Sequence, residues 1–147
     1  MSGPYHQLIY TSDASLDLTP EGLASIRDSS QRNNARDQIT GILLHSGDQF
    51  LQVIEGPRAA VERLHRLIAA DTRHEGMRTV LAHDVNQRDF GQWAMAVREL
   101  PPEQLAQHQA LSQFFSPDFD LGSLRYGTPA TFLLQAFREL NGAPEAP

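Results

Sequence analysis

The chain has 147 residues, of which 40% are hydrophobic and 20% charged, as expected for one globular domain with a short appendage. Its net charge of −6 argues against nucleic-acid binding, which depends on basic groups that contact phosphates. It has no cysteine and no lysine, which excludes thiolate nucleophiles, cysteine-ligated zinc, Schiff-base catalysis and a phosphate-loop lysine.

The sequence contains no apolar stretch near the roughly 20 residues that a membrane-spanning helix needs. The amino terminus has no basic segment followed by an apolar one, so no export signal is predicted. We therefore expect a cytoplasmic protein that does not bind membranes.

Hydrophobic periodicity and turn residues predict the element order βαββαβ, followed by one short strand. Thr19-Pro20-Glu21 is a typical helix start, and Ser46-Gly47-Asp48 is a typical hairpin turn. The predicted strands cover 5–12, 38–45, 49–55, 77–85 and 92–97, and the predicted helices cover 19–34 and 56–70. This order predicts an α+β, ferredoxin-like sandwich, in which two helices cover one face of a five-stranded mixed sheet.

Pro101-Pro102 marks a predicted boundary between this domain, at 1–100, and a helical extension at 101–141. Within the extension, 103–115 and 128–140 have the pattern of helices, and the tail at 142–147 is predicted to be disordered. Two amphipathic helices beside a small sandwich need a surface to cover, so we expect a homo-oligomer.

The two main helices each carry a stripe that begins apolar and ends polar. Leu23, Ile26, Ser30 and then Asn33 or Asn34 form the first stripe, and Leu64, Leu67 or Ile68, and Asp71 form the second. Side by side, they would enclose a slot with aliphatic walls and a polar end, suited to a planar ligand with one hydrogen-bonding edge. The alternative is that the asparagines simply end a helix and that Asp71 lies in a loop.

Gln52 lies in the middle of the apolar strand Phe50-Leu-Gln-Val-Ile54, where an unpaired amide costs roughly 1–3 kcal/mol. Its partners could be backbone groups or a ligand. Tyr10 falls on a strand that could neighbour this one, and the pair could be a core hydrogen bond or, beneath a redox-active ring, an electron donor with a proton path.

Other motifs give little indication of catalysis. The histidines are not spaced as metal ligands, and we find no nucleophile elbow, HExxH motif or phosphate-binding loop. An acylphosphatase-like site, which shares this topology, is disfavoured because Ser12-Asp13-Ala14-Ser15 is acidic where an anion-binding loop is needed. We therefore expect neither an enzyme nor a metal site.

Six segments, in the same order along the chain, resemble the BLUF family of blue-light sensors that use FAD, in its short stand-alone, PixD-like form. The resemblance covers about the first hundred residues and continues more weakly into the extension. The matching segments are Leu-Ile-Tyr10-Thr-Ser, Ser-Ser30-Gln-Arg32-Asn33-Asn34, Ile39-Thr-Gly-Ile-Leu-Leu, Phe50-Leu-Gln52-Val-Ile-Glu55-Gly56, Asp71-Thr-Arg-His74 and Arg88-Asp-Phe90-Gly-Gln-Trp93-Ala-Met95.

The resemblance implies a non-covalent flavin, FAD or else FMN or riboflavin, between the two helices. Tyr10 would pass an electron and a proton toward the flavin by way of Gln52. The amide would then stay rotated or tautomerised and shift the absorption to the red. Trp93 and Met95, expected on the strand next to Gln52, would carry the change to the C-terminal helices and a downstream signalling protein. The implied flavin contacts are Ile26, Ser30, Arg32, Asn33, Asn34, Gln52, Leu67, Ile68 and Asp71.

One position departs from the family pattern. Some members have a basic residue that contacts the flavin where Leu67 aligns, and the adjacent Arg66 should point about 100° away around the helix. Two other functions remain open from sequence. The chain could be a flavin or small-ligand binder without a photocycle, or an interaction protein without a cofactor.

Overall fold

Five strands form one mixed sheet in the computed structural model, which describes residues 4–14, 19–71, 74–91, 96–107, 114 and 133. The strands are β1 (Tyr5–Ala14), β2 (Thr40–Ser46), β3 (Gln49–Gly56), β4 (His74–Val85) and β5 (Ala96–Glu99), and the helices are α1 (Pro20–Arg36), α2 (Arg58–Ala69) and α3 (Pro102–Gln107). The strand order is β4-β1-β3-β2-β5, with β2 and β5 parallel and the other pairs antiparallel. The predicted ferredoxin-like sandwich is confirmed.

Helix α1 begins as its sequence predicts. Thr19 is its N-cap, and the Thr19 hydroxyl accepts a hydrogen bond from the Gly22 N–H at 3.0 Å. Glu21 in the first turn and Arg36 in the last turn complement the helix dipole. The helix continues two residues beyond the predicted end at Asn34.

The predicted start of the second strand at Gln38 is wrong. Gln38 has a φ of +62°, a left-handed conformation that a strand cannot include, so β2 begins at Thr40. The Arg88 guanidinium donates to the Gln38 carbonyl at 2.7 Å and so holds this turn in place.

The sheet buries a hydrophobic cluster on each of its faces. The face covered by the helices, here called the helix face, includes Leu8, Tyr10, Ile26, Ile39, Leu43, Phe50, Ile54 and Val61. The opposite face, here called the far face, includes Ile9, Ile42, Leu44, Leu51, Val53, Phe90, Leu100, Leu105, Phe114 and Leu133. Side chains alternate between the two faces along β1, β2 and β3, as the period of two requires. On β4 the pairing with β1 shifts in register between Ile9 and Tyr10, and Val80 and Leu81 both pack against the far-face cluster.

Residues beyond the predicted boundary at Pro101-Pro102 therefore pack on the far face. Helix α3 begins one residue before the predicted helix at 103–115 and overlaps its first part, and Leu105 is buried on the far face with Phe114 and Leu133. The predicted helix at 128–140 and the tail at 142–147 lie outside the described residues, apart from Leu133. Across the described ranges, no helix is both long and apolar enough to cross a bilayer.

A buried carboxylate fastens the loop before β5 to the far face. Glu55 is fully buried and accepts from the N–H groups of Asp89, at 3.1 Å, and Phe90, at 2.6 Å. The Gln7 amide and the Thr40 hydroxyl also donate to it, at 3.0 and 3.1 Å. Glu55 on β3 thus joins two N–H groups of the loop at 88–91 to side chains of β1 and β2.

Candidate functional site

A cavity of about 180 Å³, here called the inner cavity, lies between α1 and α2 above the helix face of the sheet. Its walls are mainly aliphatic, and amide and carboxyl groups supply its polar surface. Its lining residues are Ile26, Ser29, Asn33, Asn34, Leu43, Gln52, Leu64, Leu67, Ile68 and Asp71.

Gln52 lines the floor of this cavity, and Tyr10, outside the described lining, lies beside Gln52 in the sheet. They are directly opposed in the antiparallel pairing of β1 with β3, and the Tyr10 hydroxyl donates a hydrogen bond to Gln52 Oε1. The prediction that they lie on neighbouring strands is confirmed. The Gln52 amide has both a donor and an acceptor, and its oxygen Oε1 is the atom that faces Tyr10.

The Tyr10 phenol is held in its protonated form. The residue is fully buried, and this burial raises the pKa of the phenol far above its ordinary value, because a phenolate there would lose its hydration. The neutral phenol donates its hydroxyl proton in a hydrogen bond to Gln52 Oε1. The His65 ring on α2 packs beside Tyr10, with a centroid separation of 5.8 Å.

Seven of the predicted contacts lie around the inner cavity, namely Ile26, Asn33, Asn34, Gln52, Leu67, Ile68 and Asp71. Asn34 is 1% exposed, so its amide belongs to the interior, whereas Leu67 is 60% exposed at the rim. Helix α1 continues past Asn34 to Arg36, so Asn34 is not its last residue, and a contact of Asn34 with a ligand stays a prediction.

The other predicted site residues are placed differently. Arg32 is exposed on α1 and is outside the described lining of the cavity. Ser30 belongs to α1, but its side chain lies outside the described structure, as do Trp93 and Met95. Trp93 and Met95 were expected on a strand next to the strand of Gln52. The described part of that strand is β5, which pairs with β2. Since β2 lies between β5 and β3, the expectation is wrong for this part.

Sequence reasoning missed two residues that line the inner cavity. Ser29 follows Ile26 by three positions, so the helical period could have identified it. Leu43 lies directly opposite Gln52 in the β2–β3 pairing, which a count back from the hairpin turn would have given.

A second cavity of about 290 Å³, here called the outer cavity, adjoins the inner one and shares Asn33, Leu64 and Leu67 with it. Its lining includes two arginines and one aspartate, whereas the inner cavity has no arginine in its described lining and one aspartate, Asp71. Its remaining lining residues are Arg36, Asp37, Ala59, Ala60 and Arg63. Neither arginine was among the predicted site residues.

Together these features define a ligand-binding sandwich with a slot between two helices, whose lining is mainly aliphatic and includes the amides of Asn33, Asn34 and Gln52. The chain matches the profile of the family "BLUF: Sensors of blue-light using FAD" over residues 5–96. The chain therefore belongs to the BLUF family, whose members are flavin-based sensors of blue light.

Curated relatives support this assignment. The chain is 34% identical over 116 residues to the photoactivated adenylate cyclase subunit beta of Euglena gracilis, which covers 74% of this chain and 14% of that protein. It is 32% identical over 93 residues to the blue light- and temperature-regulated antirepressor BluF of Escherichia coli K12, covering 63% and 23%. The chain thus spans less than a quarter of the length of these two proteins.

Solved structures share the fold. The dark-state structure of BlrB, a BLUF protein, has a TM-score of 0.73 and 28% identity, covering 92% of this chain and 99% of that one. The structure of Klebsiella pneumoniae BlrP1 with FMN and cyclic diGMP has a TM-score of 0.64 and 27% identity, covering 94% and 35%.

Proposed function

We propose that this chain is a non-enzymatic blue-light photoreceptor that binds a flavin non-covalently in the inner cavity. The observation that carries the proposal is the buried hydrogen bond from Tyr10 to Gln52 at the floor of that cavity. A binding module without a photocycle has no need to place a phenol and an amide in series beneath its ligand.

The lining residues fit a flavin. Ile26 and Ile68 come from opposite helices and suit the two faces of a planar ring, while Asn34, Gln52 and Asp71 offer donors and acceptors to one polar edge. When bound, a flavin supplies blue-light absorption and, once excited, a one-electron oxidant. The BlrP1 structure, which contains FMN, supports a flavin as the ligand class.

Tyr10 is the proposed donor of both an electron and a proton. Its hydroxyl proton already points at Gln52 Oε1, so loss of an electron from the phenol and loss of the proton along that hydrogen bond can be coupled. Both particles return to Tyr10, and the net reaction consumes no oxidant or reductant. Gln52 is the lasting change, because rotation or tautomerisation of its amide alters which group it presents to the cavity.

A side-chain row crosses the sheet from the site toward the C-terminal segment. Gln52 is opposite Leu43, and Leu43 is opposite Val97 on β5. Val97 packs in the helix-face cluster, whereas its neighbour Ala96 packs in the far-face cluster with Leu105. We propose that a turn of the Gln52 amide moves β5 through Leu43 and changes the far face, where a signalling partner or a second copy of the chain docks.

The test is a dark-minus-light absorption spectrum of the purified full chain. We expect a yellow protein whose visible band shifts to the red under blue light and reverts in the dark. A yellow protein without a shift would identify a flavin binder that lacks a photocycle. A colourless protein that takes up no added flavin would overturn the proposal and favour an interaction protein.

A further inference from the structure

We propose that His65 on α2 positions the Tyr10 phenol and tunes it as an electron donor, because a neutral imidazole packs against the phenol and a protonated one opposes its oxidation. His65 would thereby set the lowest pH at which the photocycle runs efficiently. This inference rests on the proposed function, since it concerns the donor strength of Tyr10 in the proposed photocycle.

His65 contacts the ring of Tyr10 rather than the inner cavity. The imidazole and phenol centroids are 5.8 Å apart, and the two ring planes are tilted by 60°, an arrangement typical of aromatic pairs that pack favourably. Leu64 and Ile68 on the same helix line the inner cavity, whereas His65 is outside its described lining. Gln52 contacts the phenol at its hydroxyl and His65 contacts it at its ring, so His65 can act on the donor without touching the ligand.

The imidazole of His65 has an unsatisfied nitrogen. Its Nε2 atom is buried and has no hydrogen-bond partner among the described residues. Buried polar atoms are usually paired, because an unpaired one has lost its hydrogen bond to water without replacement. The ring therefore has no acceptor at Nε2 that would stabilise its protonated form. Burial also lowers the pKa of His65, so the imidazole is neutral at neutral pH.

The charged groups around α2 do not offset this effect of burial. The strands packed against the helix are β1, β3 and β4. A chain of ion pairs joins four of the charged groups to one another, namely His6 to Asp84 at 2.8 Å, Asp84 to Arg58 at 3.5 Å and Arg58 to Glu62 at 2.8 Å.

The remaining described charged groups on these elements are either exposed, bonded to Gln7 or in the lining of the inner cavity. They are Asp13, Arg63, Arg66, Glu75 and Arg78, then Glu55 and His83, and last Asp71. On α1, Arg36 and Asp37 pair with each other. Burial is therefore the cause that lowers the pKa of His65.

The charge on His65 matters because Tyr10 becomes positive when it is oxidised. In the proposed photocycle an electron passes from the phenol to the excited flavin, and the phenol ring stays positive until its hydroxyl proton moves toward Gln52. An imidazolium with its centroid 5.8 Å away would repel that charge, and the burial of the phenol keeps water from screening the repulsion fully. The electron and the proton both return to Tyr10, so His65 gains and loses neither over the cycle.

The experiment measures two properties of the purified full chain with bound flavin, between about pH 8 and pH 5. These are the yield of the red-shifted state per absorbed photon and the fluorescence lifetime of the flavin. We expect both to be constant above about pH 6.5, and the yield to fall about threefold, with a longer lifetime, as the pH drops further. The dark absorption spectrum at each pH checks that the flavin stays bound.

The pH at the midpoint of this fall should match the pKa of His65, measured by histidine NMR on the unmodified chain. A mismatch of more than about one pH unit would overturn the inference.

His65→Phe keeps a ring beside Tyr10 but cannot take up a proton. Its yield should equal that of the unmodified chain at neutral pH and stay constant down to about pH 5. His65→Gln is neutral and has no ring, so its yield should also be independent of pH but lower throughout, because the phenol loses its packing.

His45→Phe is the matched control, since burial also lowers the pKa of His45 but β3 separates its strand from that of Tyr10. This variant should retain the fall in yield at acid pH. A fall that persists in His65→Phe, or a constant yield in the unmodified chain, would overturn the inference alone. If His65→Phe does not fold, the NMR comparison in the unmodified chain decides. Absence of a red shift at every pH would overturn the proposed function as well.

Discussion

The Tyr10 hydroxyl and the Gln52 side-chain oxygen are joined by a hydrogen bond between opposed residues of two central strands. Both residues are buried, so water does not compete for this bond. The register of the sheet, which also fixes the hydrophobic pattern on either side, therefore sets the geometry on which the proposed photochemistry depends.

Tyr10→Phe should suppress the photocycle and prolong flavin fluorescence, because phenylalanine has no hydroxyl proton and is harder to oxidise. The fold should survive at a cost of about 1 kcal/mol for the lost hydrogen bond. Transient absorption and fluorescence lifetimes measure the effect. Tyr5→Phe is the control, since Tyr5 lies on the same strand but contacts the Arg88 guanidinium, 4.6 Å from its ring centroid. A Tyr10→Phe protein that cycles normally would exclude Tyr10 as the donor.

Gln52→Leu should retain flavin but lose the light-induced red shift, because leucine fills a similar volume and cannot exchange a donor for an acceptor. The same absorption difference spectrum reports both properties. Gln49→Leu, at the other end of β3, should leave the shift intact. A full red shift in the Gln52→Leu protein would show that the amide is not the switch.

Glu55→Ala should destabilise the fold by about 2–4 kcal/mol. The substitution leaves the buried Phe90 N–H and the Gln7 amide without the acceptor that they now share. Urea unfolding measures the loss, and Glu62→Ala is the control, because its pair with Arg58 is exposed. If the two variants lose equal stability, the hydrogen bonds that Glu55 accepts do not hold the loop at 88–91 in place.

Acid should destabilise the protein through His45, whose ring stacks on Phe50 with a centroid separation of 4.7 Å. Burial lowers the pKa of His45, and the charge of Glu99 opposes this only in part. The unfolded chain, with a histidine pKa of about 6.5, therefore takes up a proton before the folded chain does. Stability is retained above about pH 6.5 and falls as the pH drops below it toward the lower folded pKa.

His45→Leu should reduce that acid sensitivity. The shift in the urea midpoint between about pH 7.5 and pH 5.5 should be smaller in the variant than in the unmodified chain. Some sensitivity should remain, because burial also lowers the pKa of His65. An unchanged shift would show that His45 does not contribute.

The sequence predicted the elements and the main slot because each depends on local signals. Thr19 and Pro20 begin α1, and the spacing of Ile26 and Asn33 indicated the face that lines the cavity. The start of β2 was misplaced because the left-handed conformation of Gln38 is held by Arg88, fifty positions away. Local propensity contains no information about such a contact.

The partner of β5 was missed for a similar reason. A four-residue strand has little pattern of its own, and its parallel pairing with β2 depends on the whole chain between them. The outer cavity was missed because arginines on a helix are more often solvated, and only the packing of α1 beside α2 brings Arg36 and Arg63 to one cavity.

Ala96 and Val97 pack against opposite faces of the sheet, and this alternation limits how β5 can move against β2. A strand repeats every two residues, so a shift of one residue against β2 would exchange the side chains that face the slot with those that face α3. Intermediate positions would break the ladder of hydrogen bonds without forming a new one. A strand of this length at the edge of the described sheet therefore has separate pairings with β2 rather than a continuous range of positions.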